Sequence, residues 1–275
     1  MVAAFNVQNY LATGISLEDG KRDLPPKPES AIAAVVEVIK EIQPDILGIM
    51  EMGDPSMLAD LQARLKKAGM DLPHSEWVKG ADPARHLALL SKYPIIARQS
   101  RDEVPFDLNG VRTRVGRGIL DVTVELAPHY NLRLVGVHLK SRRQVPDFDE
   151  ASMRAKEASH VRKHLDAILT AAPKVNLMLF GDLNDTKNEF PVRELIGSAK
   201  SPNYMRDLVL EDRSGFRWTH FWPAADIYSR IDFLLVSRGL GPEIDMKKSG
   251  VSSASMWFNA SDHRAIFATV KVPKK

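Results

Sequence analysis

Leu179-Phe180-Gly181-Asp182-Leu183-Asn184-Asp185 follows the apolar run Val175-Asn176-Leu177-Met178 and reads as the end of a buried strand that breaks into polar residues. Side chains at i and i+2 of a strand share a face, so Asp182 and Asn184 are expected to point together while Leu183 packs the other way. A carboxylate beside a carboxamide at a strand mouth can hold a water and a phosphate oxygen together. The same residues also suit an ordinary strand-to-turn transition.

A second carboxylate motif, Ser261-Asp262-His263, stands directly before the strand-like run Ala265-Ile266-Phe267-Ala268-Thr269-Val270. Between the two lies the strand Ser229-Arg230-Ile231-Asp232-Phe233-Leu234-Leu235-Val236-Ser237, with Arg230 and Asp232 at i, i+2. Upstream, Ile46-Leu47-Gly48-Ile49-Met50 ends in Glu51, and Asn6 is lodged inside the apolar strand Ala3-Ala4-Phe5-Asn6-Val7. Gly136-Val137-His138-Leu139-Lys140 adds a His and a Lys on one face. Each of these strand ends carries a polar group that a core would reject. One shared site is the economical explanation.

The chain has 275 residues, 44% hydrophobic and 27% charged, ordinary values for a globular protein. No apolar run approaches the roughly 20 residues that span a bilayer, and the N-terminus lacks the pattern of a signal peptide. The expectation is a soluble protein, either cytoplasmic or exported with its signal missing from this sequence. With no cysteine, thiolate metal sites, cysteine nucleophiles and disulfides are excluded. A net charge of +3 suits a phosphate-bearing substrate without marking a surface that coats nucleic acid. Positive charge gathers at Arg112, Arg114 and Arg117, and again at Lys140, Arg142 and Arg143.

Periodicity predicts a helix over 29–42 with Ser30 as its cap, and a second opened by Pro55 with Leu58, Leu61 and Leu65 on one face. A long helix is predicted over 151–170. Strands near 117–126 and 131–138 form a hairpin through Pro128-His129-Tyr130-Asn131, and further strands fall near 216–220, 230–236 and 263–271. The long irregular stretches 11–28 and 142–150 adjoin motif strands, where loops tend to shape a substrate site. No Pro/Gly/Ser linker divides the chain, so a single domain over 1–275 is expected.

Taken in order, Phe5-Asn6-Val7, Ile49-Met50-Glu51, His138-Leu139, Gly181-Asp182-Leu183-Asn184, Arg230-Ile231-Asp232 and Ser261-Asp262-His263 resemble the endonuclease/exonuclease/phosphatase superfamily of metal-dependent phosphoesterases. The resemblance implies an α+β fold, a four-layer α/β/β/α sandwich of two mixed sheets flanked by helices. It implies magnesium as cofactor, with manganese or calcium as substitutes. Glu51 resembles the main metal ligand and Asp262 the second carboxylate near it. Asp182 resembles the residue that orients or deprotonates the attacking water, steadied by Asn184. His263 resembles the histidine on the scissile phosphate, Asp232 the carboxylate that fixes its tautomer, and His138 a further catalytic histidine. Asn6, Lys140 and Arg117 are the candidate phosphate-binding residues. Asn6 also reads as a satisfied core amide, Lys140 as a surface lysine, and Arg114 competes with Arg117. Two residues beyond Asn6, where many apurinic endonucleases carry an acid, stands Gln8, which argues for one ion rather than two. Trp257 and Phe258 either wall the pocket or pack a core.

The expected function is phosphodiester hydrolysis of nucleic acid by in-line attack of water. The alternative is a small-molecule or lipid phosphate, and no apolar hairpin stands out in the sequence to favour a membrane lipid. A non-catalytic binding domain of the same fold is the third reading, disfavoured because the acidic and histidine set is complete. No protein partner is implied.

Overall fold

The computed structural model describes residues 1–12, 14–16, 23–143 and 149–273. Two six-stranded mixed sheets pack face to face. The first runs in the order Ile244–Val251, Ile266–Val270, Val2–Tyr10, Ile46–Met52, His86–Ser91, His74–Val78. The second runs Arg206–Asp207, Asp232–Val236, Leu177–Asp182, Tyr130–His138, Leu120–Ala127, Ile95–Arg98.

Each sheet has one parallel pair, Val2–Tyr10 with Ile46–Met52 and Tyr130–His138 with Leu177–Asp182. A parallel pair needs a crossover, and each crossover carries a helix, Glu29–Ile42 in one case and Glu150–Ala171 in the other. Both strands of a parallel pair end on the same edge of their sheet. Asn6, Glu51, His138 and Asp182 are carried to one end of the sandwich by this topology, the edge where α/β sheets commonly bind ligands.

The central strands are buried on both faces, so they read as apolar runs rather than alternating ones. Val2, Ala4, Ile46 and Met50 face the second sheet, where Val122, Leu134, Met178, Phe180 and Leu234 meet them. Ala3, Phe5, Val7, Leu47 and Ile49 face outward onto the helices Glu29–Ile42 and Pro55–Lys67. Helices Glu150–Ala171 and Phe190–Ile196 cover the second sheet's outer face through Val161, Leu165 and Leu195. The result is the expected α/β/β/α sandwich. Gly48 lets the sheets close up, since a Cβ there would lie 2.2 Å from a ring carbon of Phe180.

Most predicted elements recur, with shifts that have local causes. Ser30 does not cap the first helix; the helix starts at Glu29 behind Pro28, which offers no side-chain bond. In the second helix Asp54 accepts from the amides of Ser56 and Met57, the usual service of an N-cap aspartate. The hairpin turn is tighter than expected, because Tyr130 and Asn131 already pair with Ala127 and Glu125. The strand expected at 216–220 is displaced into a short ribbon, His220–Trp222 against Ile227–Ser229. The loops at 11–28 and 142–150 lie partly outside the described residues.

Candidate active site

Asp182 is the last residue of its strand and sits in register with His138 on one side and Asp232 on the other. Three adjacent strands therefore present three polar side chains in a row. Asp182 Oδ2 accepts from Asn6 Nδ2 at 3.1 Å and lies 3.5 Å from His138 Nε2 and 3.7 Å from His263 Nε2. Asp182 Oδ1 accepts the amide of Asn184 at 2.8 Å. Asn184 stays beside Asp182, but by a different route from strand alternation. The strand has ended, Asn184 adopts a left-handed φ of 51°, and its Nδ2 donates to the Leu139 carbonyl at 2.9 Å. It is an Asx-type turn, the geometry Asn tolerates best among non-glycine residues.

Asn6 joins the two sheets. Its Nδ2 also donates to Glu51 Oε1 at 3.4 Å, and its Oδ1 accepts the amide of Gln8 at 3.0 Å. Gln8, Asn9 and Glu51 all have positive φ, 45°, 52° and 63°, where the two parallel strands lose register between Asn6 and Tyr10. Left-handed backbone at three non-glycine residues is costly and clusters at functional sites. It frees the Asn9 amide to donate to Glu51 Oε2 at 3.0 Å.

The loop before the last strand brings in Asp262 and His263. Ser261 Oγ donates to the Asn6 carbonyl at 2.7 Å and accepts the His263 amide at 3.0 Å, which ties the loop to the first strand. His263 Nδ1 pairs with Asp232 Oδ2 at 2.8 Å, so Nε2 points toward Asp182 and toward Asp262 Oδ1 at 3.9 Å. Burial disfavours a charged His263, yet Asp232 and Asp182 outweigh it and hold the imidazole well above its ordinary pKa. His138 has the opposite bias. Burial, with Arg117, Arg85 and His263 nearby, holds it well below the ordinary value, and its Nδ1 has no partner among the described residues. Burial raises the Asp182 carboxyl, helped by Asp232 and Glu51 and opposed by His263. One imidazolium, one neutral imidazole and one carboxylate with a raised pKa thus share a few ångströms, the separation of titration states that acid–base sites depend on.

Glu51 and Asp262 keep partial access to solvent, 16% and 31% of their side chains, unlike buried Asp182 and Asp232. Both act on the Lys27 ammonium, whose pKa falls to about 8 because burial outweighs their attraction. Glu51 and Asp262, partly open to solvent and both within electrostatic reach of Lys27, are oxygen donors of the kind that suits a hard divalent cation.

Not every candidate reaches this cluster. Arg117 and Lys140 line an adjoining cleft of about 570 Å³, together with Arg112, Arg114, Asp82 and Glu157. Arg117 pairs with Asp82 at 3.0 Å, and its buried Nε has no partner among the described residues. Arg230, expected beside Asp232, turns away to Asp207 at 2.9 Å and lies over the Phe233 ring. Residues that sequence reading missed also stand here. Arg85 is 3.5 Å from Glu51, and His220 Nε2 is 3.8 Å from Asp262 Oδ2 with its ring 4.7 Å from that of His263. Nothing in the local pattern marks Arg85, and His220 sits in the aromatic run Trp218-Thr219-His220-Phe221-Trp222, at the end of the strand expected over 216–220, with no motif to single it out. The ribbon around it corrects a further expectation. Trp222, Ile227 and Tyr228 are about half exposed on an apolar hairpin that the sequence did not announce, and Phe258, in the short helix Trp257–Ala260, is as exposed.

Two sheets closing on a carboxylate–imidazole–carboxamide site define a phosphoesterase sandwich. The chain belongs to the Endonuclease/Exonuclease/phosphatase family, whose sequence model matches residues 3–263, and it is an enzyme of that metal-dependent, phosphoester-hydrolysing class. No curated protein matches the sequence. Among solved structures, a doubly substituted Staphylococcus aureus beta toxin with bound magnesium ions is similar at 16% identity and a TM-score of 0.63, over 98% of this chain and 99% of that one. The human Nocturnin catalytic domain with a bound sulfate anion is similar at 16% identity and 0.66, over 98% and 93%. Sphingomyelinase C from Streptomyces griseocarneus is similar at 14% identity and 0.59, over 97% of each chain. Among the described residues, no helix is long and apolar enough to cross a membrane.

Proposed function

We propose that the protein is a magnesium-dependent phosphodiesterase acting on nucleic acid by in-line attack of water. Asp182 takes the proton of the attacking water, held in place by Asn184 and by the amide that caps its Oδ1. The His263 imidazolium, oriented by Asp232, stabilises charge on the phosphoryl oxygens. Neutral His138 and Asn6 donate from the other side. Glu51 and Asp262 would hold the magnesium ion, which supplies Lewis-acid stabilisation of the phosphoryl charge when bound.

The observation that carries the choice of substrate is the cleft beside His138, into which Arg112, Arg114, Arg117 and Lys140 converge. Arg112 and Arg114 are paired with Asp107 and Glu103, but these are exposed ion pairs that exchange partners at little cost. A polyanion extending past the scissile phosphate finds its flanking charges met there. A second reading rests on the exposed ribbon, which supports a phosphodiester presented at a lipid surface. A hydrolysis panel separates them: plasmid, single-stranded DNA, RNA, bis-p-nitrophenyl phosphate, and inositol and sphingolipid esters, each with magnesium and with chelator. Cleavage of nucleic acid above the lipid esters supports the first reading. Preference for sphingolipid in vesicles overturns it in favour of the second.

A further inference from the structure

The geometry points to a zinc site at His220, Asp262 and His263, which shares Asp262 with the magnesium site but differs from it in that two of its three donors are imidazole nitrogens. One ligand atom from each residue lies within 4.8 Å of the other two. A tetrahedral shell with zinc bonds of about 2.0–2.2 Å places its donors about 3.3–3.6 Å apart, so side-chain rotations of roughly an ångström close it. Both rings are already turned the right way. His263 Nδ1 is engaged by Asp232 at 2.8 Å, which directs Nε2 outward, the carboxylate–histidine arrangement that supports zinc once the ion has displaced the Nε2 proton to solvent. His220 Nδ1 lies 3.4 Å from Ser229 Oγ, leaving its Nε2 toward Asp262.

The positions are fixed by backbone as well. His220 and His263 face each other across an isolated antiparallel bridge, and the Phe221 amide donates to the Asp262 carbonyl at 3.0 Å. The His220 and Asp262 side chains are 20% and 31% exposed, so an ion can enter and a water can complete the fourth position. The donor set, two nitrogens and one oxygen, selects zinc and its borderline neighbours over magnesium. Occupancy has a functional consequence that rests on the reading above: zinc takes His263 from the phosphate and Asp262 from magnesium, and so inhibits.

The test uses the full chain freed of metal by chelation, at mildly alkaline pH. Cobalt(II) serves as a spectroscopic stand-in and zinc is titrated by calorimetry. The site predicts intense visible absorption of tetrahedral cobalt, displaced by one equivalent of zinc. The faint absorption of octahedral cobalt, or no zinc binding, overturns it without recourse to any variant. His220→Gln is expected to weaken zinc binding by more than the roughly 10–100-fold that loss of an outer-shell partner costs. It is also expected to lose the inhibition by zinc that the parent shows in magnesium-dependent hydrolysis of bis-p-nitrophenyl phosphate, each protein being compared with its own zinc-free rate. Equal zinc affinity in parent and variant contradicts the site. Zinc binding that meets these expectations in a protein with no hydrolytic activity leaves the site standing and removes the functional reading instead.

Discussion

Asp232 and His263 form a buried pair 31 residues apart in sequence, with Oδ2 2.8 Å from Nδ1. The pair fixes which nitrogen faces the reaction, and it keeps a proton on the ring against the cost of burial. His263 without Asp232 lacks orientation, and Asp232 without His263 is an unpaired buried carboxylate.

The two residues are therefore expected to act as one unit. His263→Ala and Asp232→Asn should each lower kcat by a large factor, and the double variant should be scarcely worse than His263→Ala alone, as for groups that share one function. Steady-state kinetics on a chromogenic diester decide it. Multiplying losses would separate the two.

Glu51 is predicted to set metal affinity rather than fold stability. Its side chain is partly open to solvent and is held by the Asn9 amide and by Asn6. Glu51→Gln keeps the shape and removes the charge. Calorimetric magnesium binding and magnesium-activated turnover should both fall while the unfolding free energy stays within about 0.5 kcal/mol of the parent. Unchanged magnesium activation would remove Glu51 from the metal shell.

Much of this site was legible before the structure, because its residues violate the rule their strands otherwise obey. Asn6, Glu51, His138, Asp182 and Asp232 interrupt apolar runs, Asn6 in the middle of its strand and the other four at or next to a strand end. The sandwich of two mixed sheets came from the family resemblance; the alternation of strands and helices agrees with it, but which strands pair in parallel is visible only in the structure. The sequence is silent where partners come from irregular backbone. Asn184 reaches Asp182 through a left-handed turn rather than strand alternation, and Arg85 reaches Glu51 from a loop with no periodicity to read. Arg230 misled because i, i+2 spacing holds only inside a strand, and the strand begins at Asp232. The exposed ribbon was not legible either: Tyr228 stacks on Phe221, yet Trp222 and Tyr228 stay about half exposed in the fold, which the local pattern does not announce.

One buried carboxylate belongs to stability rather than to the site. Asp121 is fully buried, accepts from Arg133 at 2.8 and 2.6 Å, and pairs with His164 at 2.8 Å. Burial raises its pKa, but the bonds from Arg133 and His164 outweigh burial and hold it below the ordinary value. A depressed carboxylate contributes stability that is complete above the unfolded pKa near ~3.9 and lost as pH falls through the folded one. Asp121→Asn should cost about 3 kcal/mol at neutral pH, the low end for breaking a buried pair because both partners keep some solvent. The gap to the parent should shrink in urea titrations below that pH. A gap that widens in acid would contradict this role.

If nucleic acid is the substrate, Arg112, Arg114, Arg142 and Arg143 should meet flanking phosphates. Arg142, now 3.2 Å from Asp185, is exposed enough to exchange partners. Neutralising Arg142 and Arg143 should weaken duplex binding and flatten the slope of log K against log salt by roughly 0.9 per phosphate lost. Hydrolysis of a small diester should be spared. Parental affinity and salt slope in that variant would leave the phosphodiesterase without its nucleic-acid assignment.

The most direct test is Asp182→Asn, assayed for magnesium-dependent hydrolysis of bis-p-nitrophenyl phosphate beside magnesium binding by calorimetry. The asparagine fills the same space and its one oxygen can still accept the Asn184 amide, but its NH2 then replaces the oxygen that accepts from Asn6 and cannot accept the water's proton. The account predicts turnover reduced by roughly 10²–10⁴-fold, the range for a positioned proton acceptor, with magnesium still bound at Glu51 and Asp262. Full turnover in this variant, or hydrolysis by the parent that survives chelation of all divalent metal, would contradict it.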